Sequence, residues 1–198
     1  LIKSGKEDYL ERLNPKIFSD VKFHYINQNN QYGLGDAVLH AEEIVGDDSF
    51  AVLLPDDLFF SNISCLSQLI NTYKQTKSSV IAVNKIDKEN IHKYGVINPG
   101  KKEHDAILIE DIVEKPSADE APSDIAACGR YIFTPSIFDH LKATNFDKLG
   151  EIQLTDAIKN LIQNQKVYAR LYEGEKFDCG SKKGFVHATI ALALRDSS

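Results

Sequence analysis

Residues 50–54 form an unbroken apolar run, and a second such run occupies 80–83. Between them, Leu66, Leu69, Ile70 and Tyr73 recur at helical spacing, which sets an amphipathic helix between two strands. A continuous apolar strand suits a place buried on both faces of a parallel sheet. Strand, helix and strand in succession predict a doubly wound α/β sheet with helices packed on its faces. Upstream, 21–26 is rich in β-branched and aromatic residues and reads as a strand. Ala37, Val38, Ala41, Ile44 and Val45 place a helix over 35–45, and 6–13 reads as a short helix broken before Pro15. Downstream, strands are predicted over 94–98, 106–113, 130–133 and 167–172, and helices over 137–141, 154–162 and 183–194. The Pro- and Asp-containing stretch 116–123 is a surface loop.

The chain has 198 residues, of which 42% are hydrophobic, enough for a substantial core without disulfides or structural metals. Charged residues make up 26%, which argues against a disordered chain. A net charge of −6 disfavours a dedicated nucleic-acid binder, since phosphate backbones select basic surfaces. Cys65, Cys128 and Cys179 are widely spaced and form no C-x-x-C, so they read as reduced thiols of a cytosolic protein. No apolar run reaches the length of a membrane span, and no signal-peptide pattern opens the chain. The chain opens at Leu1 and contains no Met, which predicts that its gene continues upstream.

In open α/β sheets, ligands bind beyond the carboxyl ends of the strands, so residues just after the apolar runs carry the interest. Gln28, with Gly33 and Gly35 downstream, lies between the first predicted strand and its helix. Its amide can read a base edge and the glycines admit close backbone approach, although a polar loop with a helix-entry glycine has the same composition. Asp56 follows the run 50–54 and is placed to hold Mg²⁺, a hard ion that takes oxygen ligands; capping of the next turn is the competing role. Asp178 is the candidate second carboxylate. Glu114 and Lys115 precede Pro116, which predicts an extended backbone at Lys115. The pair could bind sugar hydroxyls and a phosphate, or be an exposed strand end.

The order of these pieces is more specific than any one of them. Gln28 with Gly33-Leu34-Gly35, Leu54-Pro55-Asp56, Tyr94-Gly95, Glu114-Lys115-Pro116, Gly129-Arg130-Tyr131, the stretch from Gly150 to Asp156, and Asp178-Cys179-Gly180 occur in sequence. This resembles the bacterial UDP-glucose pyrophosphorylases, within the sugar-phosphate nucleotidylyltransferases, over nearly the whole chain from about residue 21. The resemblance implies a Rossmann-like α/β fold with a mixed, mostly parallel sheet flanked by helices. It also implies a single domain over 1–198 that lacks its first βα unit. It implies uracil contacts at Gln28 and Gly33, and Mg²⁺ held by Asp56 and Asp178. The sugar site would comprise Tyr94, Gly95, Glu114, Gly129, Glu151 and Thr155, with Lys115 and, less strongly, Lys182 on phosphate. Expected partners are UTP, glucose 1-phosphate and UDP-glucose, with no nucleic acid or membrane, and the assembly a homo-oligomer (dimer or tetramer).

The family's glycine-rich G-x-G-T-R loop and its following Lys, which cradle the triphosphate, do not occur in this sequence. The 198-residue chain alone is therefore expected to be inactive, and robust activity from it would overturn that expectation. Three rivals stay open: a thymidylyl- or other nucleotidyltransferase of the same fold, a non-catalytic UDP-sugar sensor, and a plain structural domain. A nucleotide panel separates the first, product formation the second, and mutation of Asp56 and Lys115 the third.

Overall fold

The computed structural model describes residue 9 and residues 18–195. The predicted helix over 6–13 lies, apart from Tyr9, outside the described residues. The elements in order are α1 (Gly33–Leu39), α2 (Glu42–Val45), β1 (Phe50–Leu53), β2 (Asp57–Phe60), α3 (Cys65–Thr76), β3 (Ser79–Lys85) and a 3-10 helix (Lys88–Lys93). They continue with β4 (Gly95–Glu103), β5 (Ala106–Glu114), β6 (Ile125–Phe133), α4 (Ile137–Ala143), α5 (Leu154–Ile162), β7 (Val167–Leu171), β8 (Glu175–Asp178) and α6 (Lys182–Ala193).

Six strands form one sheet in the order β1-β6-β3-β7-β5-β4. β3 and β7 run parallel, while the β1–β6, β3–β6, β4–β5, β4–β6 and β5–β7 pairings are antiparallel. Among the described residues the sheet is thus mixed, and the expectation of mostly parallel pairing gives way. The strand buried on both faces is β3, whose Val80 and Ala82 enter one core cluster while Ile81 and Val83 enter the other. This is the period-two alternation of a central strand. Helices α4 and α5 cover the Ile81 face through Ile137, Phe138, Leu141, Ala157, Ile158 and Leu161. Helix α3 covers the opposite face through Cys65 and Leu69. Ser64 caps α3 by accepting from the Ser67 N–H at 3.1 Å, and Lys77 ends it in the left-handed conformation, φ +53.

Three expectations are corrected. The run 50–54 is not buried on both faces: β1 pairs antiparallel with β6, and alternate residues are exposed, Leu53 by 49%. Residues 21–26 form no strand: the Val21 N–H turns back to the Phe18 carbonyl at 3.1 Å, no described strand pairs with the segment, and Phe23 and Tyr25 are exposed. The helix over 35–45 is split between α1 and α2. At the break, the His40 ring lies 2.8 Å from the Asp36 carbonyl that also accepts the His40 N–H, a local competition that disfavours helix continuation.

What positions the site is a change of neighbour along β6. On one edge β6 pairs with β3, with a register shift between Ile81 and Val83; on the other it meets β4 at Ala126 and then β1 from Arg130 to Phe133. Gly129, φ +61, sits at the changeover. A cleft opens where β4 and β1 part. Beside it, β2 and β8 form a separate antiparallel pair in which Asp57 stands opposite Asp178.

Candidate functional site

The cleft encloses about 360 Å³, and its lining includes Asp56, Tyr94, Gly95, Glu114, Lys115, Gly129, Glu151, Thr155 and Asp178. Residues chosen from six separate stretches of sequence therefore converge on one cleft.

At one end, Gly95 opens β4 directly opposite Glu114, the last residue of β5. The Thr155 hydroxyl, in the first turn of α5, donates to Glu114 Oε2 at 2.6 Å. A side chain at position 95 would meet Thr155 Oγ1 at 3.0 Å and Glu114 Oε2 at 3.3 Å, so glycine keeps this corner open. Glu114 Oε1 pairs with Lys115 Nζ at 3.1 Å. The backbone here departs from expectation: Lys115 is not extended but left-handed, φ +44, in spite of the following proline. Its N–H donates to the Tyr94 carbonyl at 3.1 Å, which holds the chain in this bend as it leaves β5. Such a conformation costs about 1–3 kcal/mol in a non-glycine residue, and Lys115 lies in the cleft lining.

At the other end, the carboxylates of Asp56 and Asp178 approach one point. A Cβ built on Gly180 would lie 2.9 Å from Asp56 Oδ2 and 3.2 Å from Asp178 Oδ1. Asp178 is held on both oxygens, Oδ2 accepting from the Tyr94 hydroxyl and Oδ1 from the Gly180 N–H, each at 2.9 Å. Burial raises the Asp178 carboxyl, but these hydrogen bonds and the nearby Lys176 and Lys93 charges bring it below the ordinary carboxylate value. Tyr94 moves the other way, through burial and its bond to Asp178, and stays a protonated donor. Asp56 is tied to the same corner by its carbonyl, which accepts the Cys179 N–H at 2.7 Å.

Two carboxylates fit a hard divalent cation that completes its shell with water and phosphate oxygens. Among the described residues no group of three or more His, Cys, Asp or Glu could hold a metal, so an all-protein cage is not on offer.

Sequence reasoning missed Asp57 and Lys176. Asp57 is buried and pairs with Lys176 Nζ at 2.8 Å. Burial raises its carboxyl, opposed by the Lys176 hydrogen bond and charge. The signal was present but weak: Lys176 and Asp178 are two apart on β8 and therefore face the same side. Gln153 was named only within its motif, yet it lines the cleft and bonds Asp147 Oδ2 at 2.8 Å, within a turn that Asp147 also braces through the Leu149 and Glu151 N–H groups.

Three candidates lie off the lining. Gln28 Nε2 donates to Asp36 Oδ2 at 2.6 Å and to the Gly33 carbonyl at 3.1 Å. Gly33, φ +88, packs on Glu151: a Cβ there would fall 2.9 Å from Glu151 Cβ. Both thus stand against the cleft wall, beside the lining itself. Lys182 is exposed at the start of α6 and is not part of the cleft.

The nucleotidyl transferase family matches residues 3–194. The chain belongs to that family. It is 43% identical to UTP–glucose-1-phosphate uridylyltransferase 2 of Staphylococcus saprophyticus, covering 100% of this chain and 68% of that relative. It superposes with a TM-score of 0.90 on a UDP-glucose pyrophosphorylase solved with UDP-glucose, at 36% identity, over 97% of this chain and 73% of the other. A UTP-bound UDP-glucose pyrophosphorylase from Acinetobacter baumannii gives 0.88 at 34% identity, over 100% and 69%. The chain is therefore a nucleotidyltransferase enzyme. Among the described residues, no helix is long and apolar enough to cross a membrane.

Proposed function

We propose that this enzyme transfers a uridylyl group from UTP to glucose 1-phosphate, giving UDP-glucose and pyrophosphate, with Mg²⁺ held by Asp56 and Asp178, in the cytoplasm. The observation that carries the reading is the pairing, in one cleft, of converging carboxylates with a Glu-Thr-Gly corner suited to sugar hydroxyls. The names of the relatives supply the base and the sugar.

A phosphate oxygen of glucose 1-phosphate attacks the α-phosphorus of UTP, and pyrophosphate leaves from the opposite side. The attacking oxygen is already ionised near neutral pH, so the site needs no strong general base. Its task is to hold two anions together and to favour the charge that builds on phosphorus. Glu114 accepts from sugar hydroxyls, and Thr155 fixes which of its oxygens is free. Lys115 exchanges its Glu114 contact for the sugar phosphate. When bound, a cation held by Asp56 and Asp178 would neutralise phosphate charge and act as a Lewis acid on phosphoryl oxygen. In this reading, Gln28 and Gly33 meet the uracil at the outer edge of the same wall.

The test is a panel of UTP, dTTP, ATP and GTP with glucose 1-phosphate, using the full-length gene product and following pyrophosphate and nucleotide-sugar by ³¹P NMR. UDP-glucose formation with UTP, and little with the others, is expected; preference for dTTP, or binding without turnover, overturns the assignment. Within the site, Thr155→Val removes one hydrogen bond to a charged acceptor, worth roughly 1.5 kcal/mol. The KM for glucose 1-phosphate should then rise about tenfold while kcat stays within about twofold. Steady-state kinetics with glucose 1-phosphate varied would show it.

A further inference from the structure

The Tyr94–Asp178 wall has a back as well as a front. Lys176 does not line the proposed sugar cleft; it lines two cavities that share Tyr94 and Asp178 with it from the far side. Its ammonium is fixed in three ways. It pairs with the buried Asp57 at 2.8 Å, its own side chain is only 12% exposed, and it lies 4.9 Å from the centre of the Tyr94 ring. Asp57 is itself locked. Its carbonyl accepts from Arg130 Nη2 at 2.6 Å, and its carboxylate closes against the Cα of Gly129.

A cation on a ring face restrains the ring's tilt, and ring tilt decides where the phenolic hydroxyl points. Here it points at Asp178 Oδ2, while Oδ1 is the oxygen that shares its point of approach with Asp56. The two oxygens of Asp178 thus have separate partners, and the division depends on where Tyr94 is held.

We infer that Lys176 is a positioning residue: braced by Asp57 and laid over the Tyr94 ring, it keeps the Tyr94 hydroxyl on one oxygen of Asp178 and so leaves the other aimed with Asp56 at a divalent cation. The inference rests on the proposed cation site. Lys176 touches no substrate in this arrangement; its contact with the carboxylate corner runs through the Tyr94 ring, and its charge, which also favours the Asp178 carboxylate, is removed together with that of Asp57 in the double change below. Groups that orient a metal-binding carboxylate from behind typically change metal affinity 10–100-fold when lost.

Mn²⁺ is the probe, with free Mn²⁺ read by electron paramagnetic resonance in the full-length protein. The double change Lys176→Met with Asp57→Asn removes the buried pair together and avoids stranding one charge. It should raise the Mn²⁺ Kd about tenfold, whereas Lys176→Arg, which keeps a cation over the ring, should stay within about threefold. Tyr94→Phe leaves the ion pair intact and should weaken Mn²⁺ to a similar degree. In the Tyr94→Phe background, the double change should then add less than about twofold, because its route of action is gone. Additive effects, or a double variant that binds Mn²⁺ like the parent, overturn the positioning role. Asp178→Asn is the reference: if it weakens Mn²⁺ and the double change does not, only the role of Lys176 falls. If Asp178→Asn itself leaves Mn²⁺ binding unchanged, the cation site falls, and the inference with it.

Discussion

Replacing Asp178 with asparagine is expected to lower uridylyl transfer by about 10²–10³-fold at a fixed, modest Mg²⁺ concentration. The change is small in shape and large in charge. It removes one of the two carboxylates that approach the point above Gly180, leaving Asp56 alone to attract a hard cation. Part of the loss should return at high Mg²⁺, because the defect lies in occupancy as well as in transition-state charge. The fold should survive. An asparagine can keep the Gly180 contact through its carbonyl, and the Tyr94 hydroxyl can accept from its amide. A pH signature accompanies the change. Burial works against the Asp178 carboxylate, but its hydrogen bonds and the nearby lysines outweigh that and hold its value low. A lowered folded value means that the ionised group stabilises the fold above the unfolded Asp value of about 4, and that this contribution is lost as pH falls through the folded value. The variant's Tm should therefore sit below the parent's at pH 7 and draw level with it in acid. Equal Tm deficits at both pH values would show that the loss comes from packing instead.

The residues that proved easy to find in the sequence were marked by patterning or by motif. Asp56 and Glu114 stand where an apolar run stops and a carboxylate follows, and hydrophobic patterning marks such places well, whereas Asp178 was legible through its place in Asp178-Cys179-Gly180. Thr155 was legible through the resemblance carried by the stretch from Gly150 to Asp156, and the structure puts it in the first turn of α5. The failures have equally definite causes. β1 reads as a doubly buried strand because its composition is uniformly apolar, yet Ala51 and Leu53 are exposed and, among the described residues, β6 is its one partner. Patterning reports the preference of a side chain, not which neighbours the chain supplies. Pro116 argued for an extended Lys115, but a tertiary hydrogen bond to Tyr94 holds the left-handed bend against that local preference. The β2–β8 pair was missed because its strands have four residues each and carry charges at Asp57, Glu175, Lys176 and Asp178. Asp57 stands opposite Asp178 and pairs with Lys176 at the cleft corner, while Glu175 pairs with Arg195 outside it.

The same corner yields the second large expectation, this time on stability. Gly129→Ala should destabilise the protein by about 3 kcal/mol or more, from two separable sources. The residue has φ +61, a conformation that costs an ordinary residue about 1–2 kcal/mol. The new methyl group would also collide with Asp57 Oδ2 and lie 3.1 Å from its Cγ. Asp57 has little room to yield, since Lys176 holds its carboxylate and Arg130 its carbonyl. A chain of this size loses about 2–4 °C per kcal/mol, so a Tm drop of about 6–12 °C should be measurable by calorimetry. Gly150→Ala separates the sources: Gly150 has φ +78, but nothing lies within 4 Å of where its Cβ would be. It should show the backbone cost alone, a drop of a few degrees. If the two alanines destabilise equally, Asp57 is not the obstacle at position 129, and the rigid bracing of the Lys176–Tyr94–Asp178 chain loses its foundation. If Gly129→Ala is the more severe and also weakens Mn²⁺ binding, the bend in β6 and the carboxylate corner are one mechanical unit.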